Sequence, residues 1–319
     1  MHFDLPLADL WEYDPAVAAP ADLVEFWSAT LGAAPQATCE PVPNGLVAVE
    51  SYDVTFSGYD GDPIRAWLHL PAPALRASLP EPLPGVVQYQ GYNGGRGLVH
   101  EHVLWALAGY AQLVMDTRGQ GSGWTTGATV DPAGSAPAQP GFLTRGIEDP
   151  QTYYYRRVYA DAVAALSVLA SHPLVDRARV AVAGASQGGG LALAVAALAP
   201  SSVAAVLSDV PFLSDFRRAA SITDSEPYGE LVRYLAAHRG SRAFETLSYF
   251  DVCVLGRLAT APALFSVALM DATCPPSTVF AAYHSYAGPK SIEVYEFNDH
   301  EGGGAFHQAR QLSWLRSTL

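Results

Sequence analysis

The stretch RVAVAGASQGGGLALAVAALAP, residues 179–200, decides the fold. Residues 180–183 are apolar and short enough for a buried strand, residues 184–188 form a sharp turn, and residues 191–199 are rich in the helix formers Leu and Ala. A strand, a tight turn and a helix are the context of a G-x-S-x-G nucleophile elbow, in which glycines two residues before and after Ser186 relieve crowding. The alternative interpretation is a glycine-rich turn that carries a surface serine.

The order of the predicted elements indicates a single α/β domain over residues 1–319. Strands alternate with helices from residue 85 onward, which predicts a mostly parallel central sheet with helices on both faces. Strands are predicted at 47–56, 64–70, 85–90, 112–115, 180–183, 203–207, 263–270 and 292–297, and helices at 22–31, 100–111, 153–171, 191–199 and 305–315.

Three stretches lie outside this alternation: an N-terminal extension at about 1–45, a loop at 121–150 and a helical insertion at 212–260. The loop is too long for a connector and too polar and glycine-rich to build a core of its own. It carries Trp124 and Phe142, which we expect to be exposed and to contact a second subunit, since aromatic residues are frequent at interfaces.

Composition limits the partners of this chain. Half of the 319 residues are hydrophobic, 15% are charged and the net charge is −13, so we expect neither nucleic acid nor a membrane as a partner. Cys39, Cys253 and Cys274 are scattered, which indicates neither a disulfide framework nor a zinc site, and no cofactor or metal is expected. The first residues lack the basic start and apolar run of a signal peptide, which predicts a cytoplasmic location.

A serine nucleophile needs a histidine base, and three histidines occur late in the chain. His284 lies in a helical stretch and His307 within the closing helix at 305–315, whereas His300 follows the last predicted strand and stands in a loop. The order of the triad in α/β-hydrolases is Ser, then Asp or Glu, then His, each in a loop after a strand. This order predicts that His300 is the base for Ser186.

Two aspartates end predicted strands and could orient this base. Asp271 follows the strand immediately before the one that leads to His300, which is the usual place for the acid, and Asp209 follows an earlier strand. We favour Asp271 and keep Asp209 as the alternative.

Two backbone N–H groups are predicted to stabilise an oxyanion. One belongs to Gln187, which follows the nucleophile, and the other to Tyr92 in the glycine-rich loop 91–95 after an early strand. The loop could also be a simple glycine turn. Cys274 lies close to Asp271 in the sequence and is interpreted as lining or packing of the pocket rather than as a nucleophile.

Three motifs in this order resemble the signatures of carbohydrate esterase family seven, the acetyl xylan esterases and cephalosporin-C deacetylases. They are Arg118-Gly119-Gln120, Gly184-Ala185-Ser186-Gln187-Gly188 and His300-Glu301. The segments PGFLTRGIEDPQTYYYRRVYADA, DATCPPSTVFAAY and YAGPK are also similar, so the resemblance covers nearly the whole chain.

The resemblance implies an α/β-hydrolase fold and a serine esterase that removes acetyl groups from small acetylated sugars, xylo-oligosaccharides and cephalosporin C. It implies that Ser186, Asp271 and His300 form the triad and that Tyr92 and Gln187 are the oxyanion donors. It also implies a homohexamer with active sites facing an internal cavity, in which the stretch after Arg118-Gly119-Gln120 contributes to the interface.

One further contact is predicted at the sheet edge, an ion pair between Arg118 and Glu301 beneath the triad. Two other functions stay open. The chain could be another serine hydrolase of this fold, such as a peptidase or a thioesterase, or a non-catalytic binding protein of the same fold.

Overall fold

The computed structural model describes residues 2–32, 34–134 and 138–319. Over these residues the chain forms a nine-stranded sheet with strand order β1-β2-β3-β5-β4-β6-β7-β8-β9. Strands β1 to β3 and the β3–β5 pair are antiparallel, and all later pairs are parallel. The strands are β1 (Ala37–Val42), β2 (Val49–Ser57), β3 (Pro63–Pro71), β4 (Leu83–Tyr89), β5 (Ala111–Met115), β6 (Val175–Ala185), β7 (Ala205–Asp209), β8 (Ala263–Ala268) and β9 (Lys290–Tyr295).

Helices cover both faces of this sheet. Successive residues of a strand point to opposite sides, so each face contributes its own side chains to a core. Val87 and Val182 belong to the larger core, which includes α5 and α6, and Val86 and Ala183 belong to a second core beneath α12. The helices are α1 (Leu7–Trp11), α2 (Leu23–Thr30), α3 (Pro73–Arg76), α4 (Leu104–Leu107), α5 (Tyr154–Ala170), α6 (Gln187–Leu198), α7 (Phe216–Ile222), α8 (Tyr228–Ala237), α9 (Ala243–Leu247), α10 (Val252–Leu255), α11 (Pro276–Ser285) and α12 (Gly304–Thr318). The predicted α/β class and mostly parallel sheet are confirmed.

The clearest differences from the sequence prediction concern one helix and one strand. The helix predicted at 100–111 is reduced to α4, because His102 has a φ of 54° and the N–H groups of Trp105 and Ala106 donate to the Gln112 side chain. Strand β1 lies inside the region described as an N-terminal extension. It is an edge strand with exposed side chains, so it lacks the alternation that marks a half-buried strand.

The N-terminal residues pack on the segment between β7 and β8, which contains α7 to α10. The Asp4 carboxylate accepts a hydrogen bond of 2.8 Å from the Arg218 guanidinium, and the Tyr13 hydroxyl donates one of 2.8 Å to Asp215. The Trp27 indole N–H donates to the carbonyl of Tyr249 at 3.0 Å. These contacts join both ends of the chain's first thirty residues to the helical insertion.

The stretch at 121–150 includes residues 135–137, which lie outside the described part. In its described part, Phe142 is fully buried, so the predicted exposure of this ring is wrong. A helical turn at Phe142–Thr144 places the ring against Tyr154, at 5.6 Å between centroids. Trp124 is 59% exposed, as predicted.

No helix in the described part of the chain is long and apolar enough to span a membrane.

Candidate active site

Ser186 stands between β6 and α6 with φ 56° and ψ −121°, a conformation that side chains rarely adopt. The glycines around it are required by close backbone contacts: a Cβ on Gly184 would overlap Gly188, and one on Gly188 would overlap the Tyr89 carbonyl. The Ser186 N–H donates to the carbonyl of Asp209 at 2.9 Å, which ties the turn to the neighbouring strand. The predicted strand–turn–helix context of this serine is therefore present.

His300 follows β9, and its Nδ1 lies 2.8 Å from Oδ2 of Asp271, which follows β8. The Asp271 carboxylate is fully buried and its Oδ1 accepts the N–H groups of Thr273 and Cys274 at 2.8 and 2.9 Å. A carboxylate accepts, so this contact suits the tautomer with the proton on Nδ1, which leaves a free lone pair on Nε2. That tautomer is the one a general base needs.

Asp209, the alternative acid, has other partners. Its two carboxylate oxygens accept from the Gln311 amide at 2.8 and 2.9 Å, and His307 Nε2 lies 3.0 Å from Oδ1. Both partners belong to α12, so Asp209 connects the sheet to the last helix. The structure brings His300 to Asp271 and not to Asp209.

Ser186, His300 and Tyr92 line the same cavity, whose volume is about 1070 Å³. Gln187 is the first residue of α6, so its N–H has no acceptor within the helix. The Tyr92 N–H has no acceptor among residues 2–32, 34–134 and 138–319. Trp105 and Trp124 also line the cavity, and aromatic walls of this kind are typical of small-molecule sites.

Gln120 connects the two predicted oxyanion donors. Its Oε1 accepts the N–H of Asn93, the residue after Tyr92, at 2.7 Å, and its Nε2 donates to the Gln187 side chain at 2.9 Å. The Tyr155 hydroxyl donates to the same Gln187 oxygen at 2.8 Å. A buried amide network thus joins the loop after β4 to the start of α6 and restricts the relative movement of these two segments.

Arg118 does not pair with Glu301, and that prediction is wrong. The Arg118 side chain is fully buried and donates to Asp161 at 2.6 and 2.8 Å and to Asp62 at 2.8 Å. Burial lowers the pKa of Arg118, but the adjacent Asp161 carboxylate outweighs it and raises the pKa, so the guanidinium stays charged. Glu301 is exposed and instead accepts from Asn298 at 2.6 Å within its own loop.

Gly119, between Arg118 and Gln120, has a φ of 69°, which an L side chain would strain. This turn directs the two flanking side chains to different partners. Arg118 reaches the carboxylates around α5, and Gln120 reaches the oxyanion loop. The two side chains that flank Gly119 in this motif therefore stabilise two different parts of the structure.

Cys274 is buried with its Sγ 4.0 Å from the Ser186 Oγ. Burial and the nearby Asp271 carboxylate raise the pKa of the thiol, so it stays protonated. This supports packing beside the serine rather than a nucleophilic role. Among the described residues, no group of His, Cys, Asp and Glu side chains is arranged to hold a metal ion.

Sequence reasoning did not indicate Glu230, whose side chain contacts the predicted oxyanion donor Tyr92. The Tyr92 hydroxyl donates to Glu230 of α8 at 2.6 Å, across 138 positions of the chain. A contact of this sequence separation depends on how the helical insertion packs, and no local pattern of residues could have indicated it.

Comparison with known proteins gives one consistent family. The sequence profile described as acetyl xylan esterase (AXE1) matches residues 1–318. The acetyl esterase Axe7A of Xylanibacter ruminicola is 30% identical over 221 residues, which are 68% of this chain and 48% of that protein. The chain therefore spans about half the length of this curated relative.

Two solved structures are similar over nearly their whole length, each with a TM-score of 0.87. The acetyl xylan esterase from Paenibacillus sp. R4 is 37% identical, with 99% of this chain and 100% of that one covered. Acetyl xylan esterase 1 from Thermoanaerobacterium sp. JW/SL YS485 is 31% identical, with 98% and 99% covered. An acylaminoacyl peptidase from Pyrococcus horikoshii, 18% identical with a TM-score of 0.60, covers 85% of this chain and 41% of its own, and shares the fold alone.

Proposed function

We propose, from the premise that this chain belongs to the acetyl xylan esterase family of carboxylic ester hydrolases, that it is a serine esterase for acetyl groups. Its substrates are small acetylated sugars, xylo-oligosaccharides and cephalosporin C. The observation that carries the proposal is the 2.8 Å contact between His300 and the buried Asp271, in a loop that lines the same cavity as Ser186. A base and an acid beside an elbow serine support acyl transfer.

The reaction has two steps. Ser186 Oγ attacks the acetyl carbonyl carbon while His300 Nε2 accepts the hydroxyl proton, and the N–H groups of Tyr92 and Gln187 stabilise the oxyanion. The tetrahedral intermediate breaks its bond to the sugar oxygen, which takes the proton from His300 and leaves as an alcohol. Water then attacks the acetyl-enzyme with His300 as base again, acetate leaves, and the proton returns to Ser186. Asp271 stabilises the imidazolium throughout.

The proposal extends to assembly and location. A homohexamer is supported by Trp124, a large ring that is 59% exposed where it lines the cavity, in the stretch proposed to contact other subunits. A cytoplasmic location is supported by the free thiols of Cys39, Cys253 and Cys274, which fit a reducing compartment. The described residues that line the cavity include no Lys or Arg, which argues against nucleic acid or an anionic lipid surface as its ligand.

The test compares wild type with Ser186→Ala on p-nitrophenyl acetate, acetylated xylobiose and cephalosporin C. We expect the variant to lose about 10⁴-fold or more in kcat, because only the oxyanion donors and binding remain. A fluorophosphonate probe should label wild type at Ser186 and leave the variant unlabelled, while circular dichroism shows both folded. Near-normal turnover by the variant, or a preference of wild type for peptides or thioesters, would contradict the proposal.

A further inference from the structure

The phenol of Tyr92 is held by a buried carboxylate that the proposed reaction does not use. Glu230 is 8% exposed, and its Oε1 accepts from the Tyr92 hydroxyl at 2.6 Å. The same carboxylate accepts the N–H groups of Gly141 and Leu143 at 2.9 and 3.1 Å. Within the described ranges, no Lys, Arg or His lies within ion-pair distance of Glu230. This carboxylate is therefore stabilised by hydrogen bonds alone.

Such a group is costly to keep in a protein interior. Burial disfavours the charged form and raises the pKa of Glu230. Three donors compensate for the lost water, and hydrogen bonds to a charged acceptor are short and strongly directional. The charge of Glu230 stabilises no cation in the described part of the chain. What Glu230 does that an apolar residue of similar size could not do is fix the positions of its three hydrogen-bond donors.

The hydroxyl, the ring and the carbonyl of Tyr92 all have partners, and its N–H has none over the ranges that the structure describes. Its hydroxyl also accepts the Phe142 N–H at 2.9 Å, and its ring packs edge-on against Phe142 at 5.5 Å between centroids. Its carbonyl accepts the Trp124 indole N–H at 3.0 Å, and the next N–H, of Asn93, donates to Gln120. Among the described residues, the group of Tyr92 left without a partner is its own N–H, which the proposed reaction uses.

We infer that Glu230 is a positioning residue for the oxyanion hole. Through the phenol it fixes the direction in which the Tyr92 N–H points, and through Gly141 and Leu143 it ties this donor to the stretch at 121–150. The inference rests on the proposed function. Glu230 is not a catalytic residue, since its contacts are Tyr92 and backbone N–H groups rather than Ser186 or His300.

The experiment uses Tyr92→Phe, Glu230→Gln and the double variant of the full-length chain. Glu245→Gln is the control, because Glu245 is an exposed carboxylate in the same helical insertion and pairs with Arg242. We measure kcat and KM for p-nitrophenyl acetate and the affinity for a trifluoromethyl ketone, whose adduct with the serine places a negative oxygen in the hole.

Each single variant should lower kcat roughly 10- to 100-fold and change KM little. A displaced oxyanion donor reduces the rate by part of the factor that is lost when the donor is removed altogether. The ketone affinity should fall by the same factor as kcat. The double variant should lose no more than the larger single loss, because both changes disrupt the same hydrogen bond between Tyr92 and Glu230. Glu245→Gln should match wild type in every measurement.

A lower Tm with kcat and ketone affinity within about twofold of wild type would overturn the inference, since that result is expected of a purely structural contact. Losses that multiply in the double variant would also overturn it. If Glu230→Gln does not fold, Tyr92→Phe decides alone, because it removes a single oxygen. Wild-type activity tests the proposed function, whereas the ratio of variant to wild type tests Glu230, so the two failures are distinguishable.

Discussion

His300 and Asp271 stand 29 positions apart in the sequence, and their side chains meet through a 2.8 Å contact between Nδ1 and Oδ2. Asp209, at the end of a neighbouring strand, instead accepts a hydrogen bond from Gln311 and lies beside His307. Two carboxylates at the same sheet edge thus have separate partners, one in the His300 loop and one in the last helix.

Asp271→Asn should reduce kcat for acetyl esters by about 10⁴-fold, because an amide can hold the imidazole but in the wrong tautomer. Asp209→Asn should leave kcat within about threefold of wild type, since its partners Gln311 and His307 belong to α12 and it does not orient His300. Steady-state kinetics on p-nitrophenyl acetate checks the ranking. The opposite ranking would transfer the acid role to Asp209.

Arg118→Gln should lower the free energy of unfolding by about 3–5 kcal/mol, because it leaves the buried Asp161 carboxylate without its cation. Arg118→Lys should restore only part of this, since an ammonium cannot make the two parallel hydrogen bonds of the guanidinium. Urea unfolding measures both.

The matched control for Arg118 is Arg310→Gln, which removes the partner of Glu293 on the surface, where both side chains are at least one third exposed. Its effect should stay below about 1 kcal/mol. Equal small losses at both arginines would show that the buried cluster contributes little to stability.

One thiol should react with Ellman's reagent in the native protein and three after unfolding. Cys39 is exposed, whereas Cys253 and Cys274 are buried and burial raises the pKa of both thiols well above the ordinary value. At pH 7–8 they therefore have neither the thiolate nor the access that the reaction needs. Cys39→Ser should abolish the fast reaction. A rapid second thiol in the folded chain would contradict the burial of Cys274 beside Ser186.

The protein should be an oligomer in solution whose acetate release falls steeply as the substrate becomes longer. If active sites face a shared internal cavity, short acetylated oligosaccharides enter and polymeric xylan does not. Light scattering should give six times the 33.8 kDa mass of the chain, and acetate release should be compared on fragments of increasing length at equal acetyl concentration. A monomer that deacetylates xylan as fast as its fragments would refute both parts.

The sequence by itself determined the parallel part of the sheet and the order of the site residues. Apolar runs of strand length that alternate with helical stretches indicate a parallel sheet, and the carboxyl ends of parallel strands share one edge. The loops with Ser186, Asp271 and His300 therefore had to converge there. Gly184 is also a local requirement, because a Cβ there would overlap Gly188 within the same turn, whereas a Cβ on Gly188 would overlap the Tyr89 carbonyl of another strand.

Tertiary structure alone decided which distant side chains meet. Arg118 bonds to Asp161 rather than to Glu301, and Phe142 is buried rather than exposed. Glu230 reaches Tyr92 from a helix 138 positions away. The reason is physical: the spacing of residues along a strand or helix sets which face a side chain occupies. The partner it finds on that face depends on how the insertions and long loops pack, which is set by many weak long-range contacts at once.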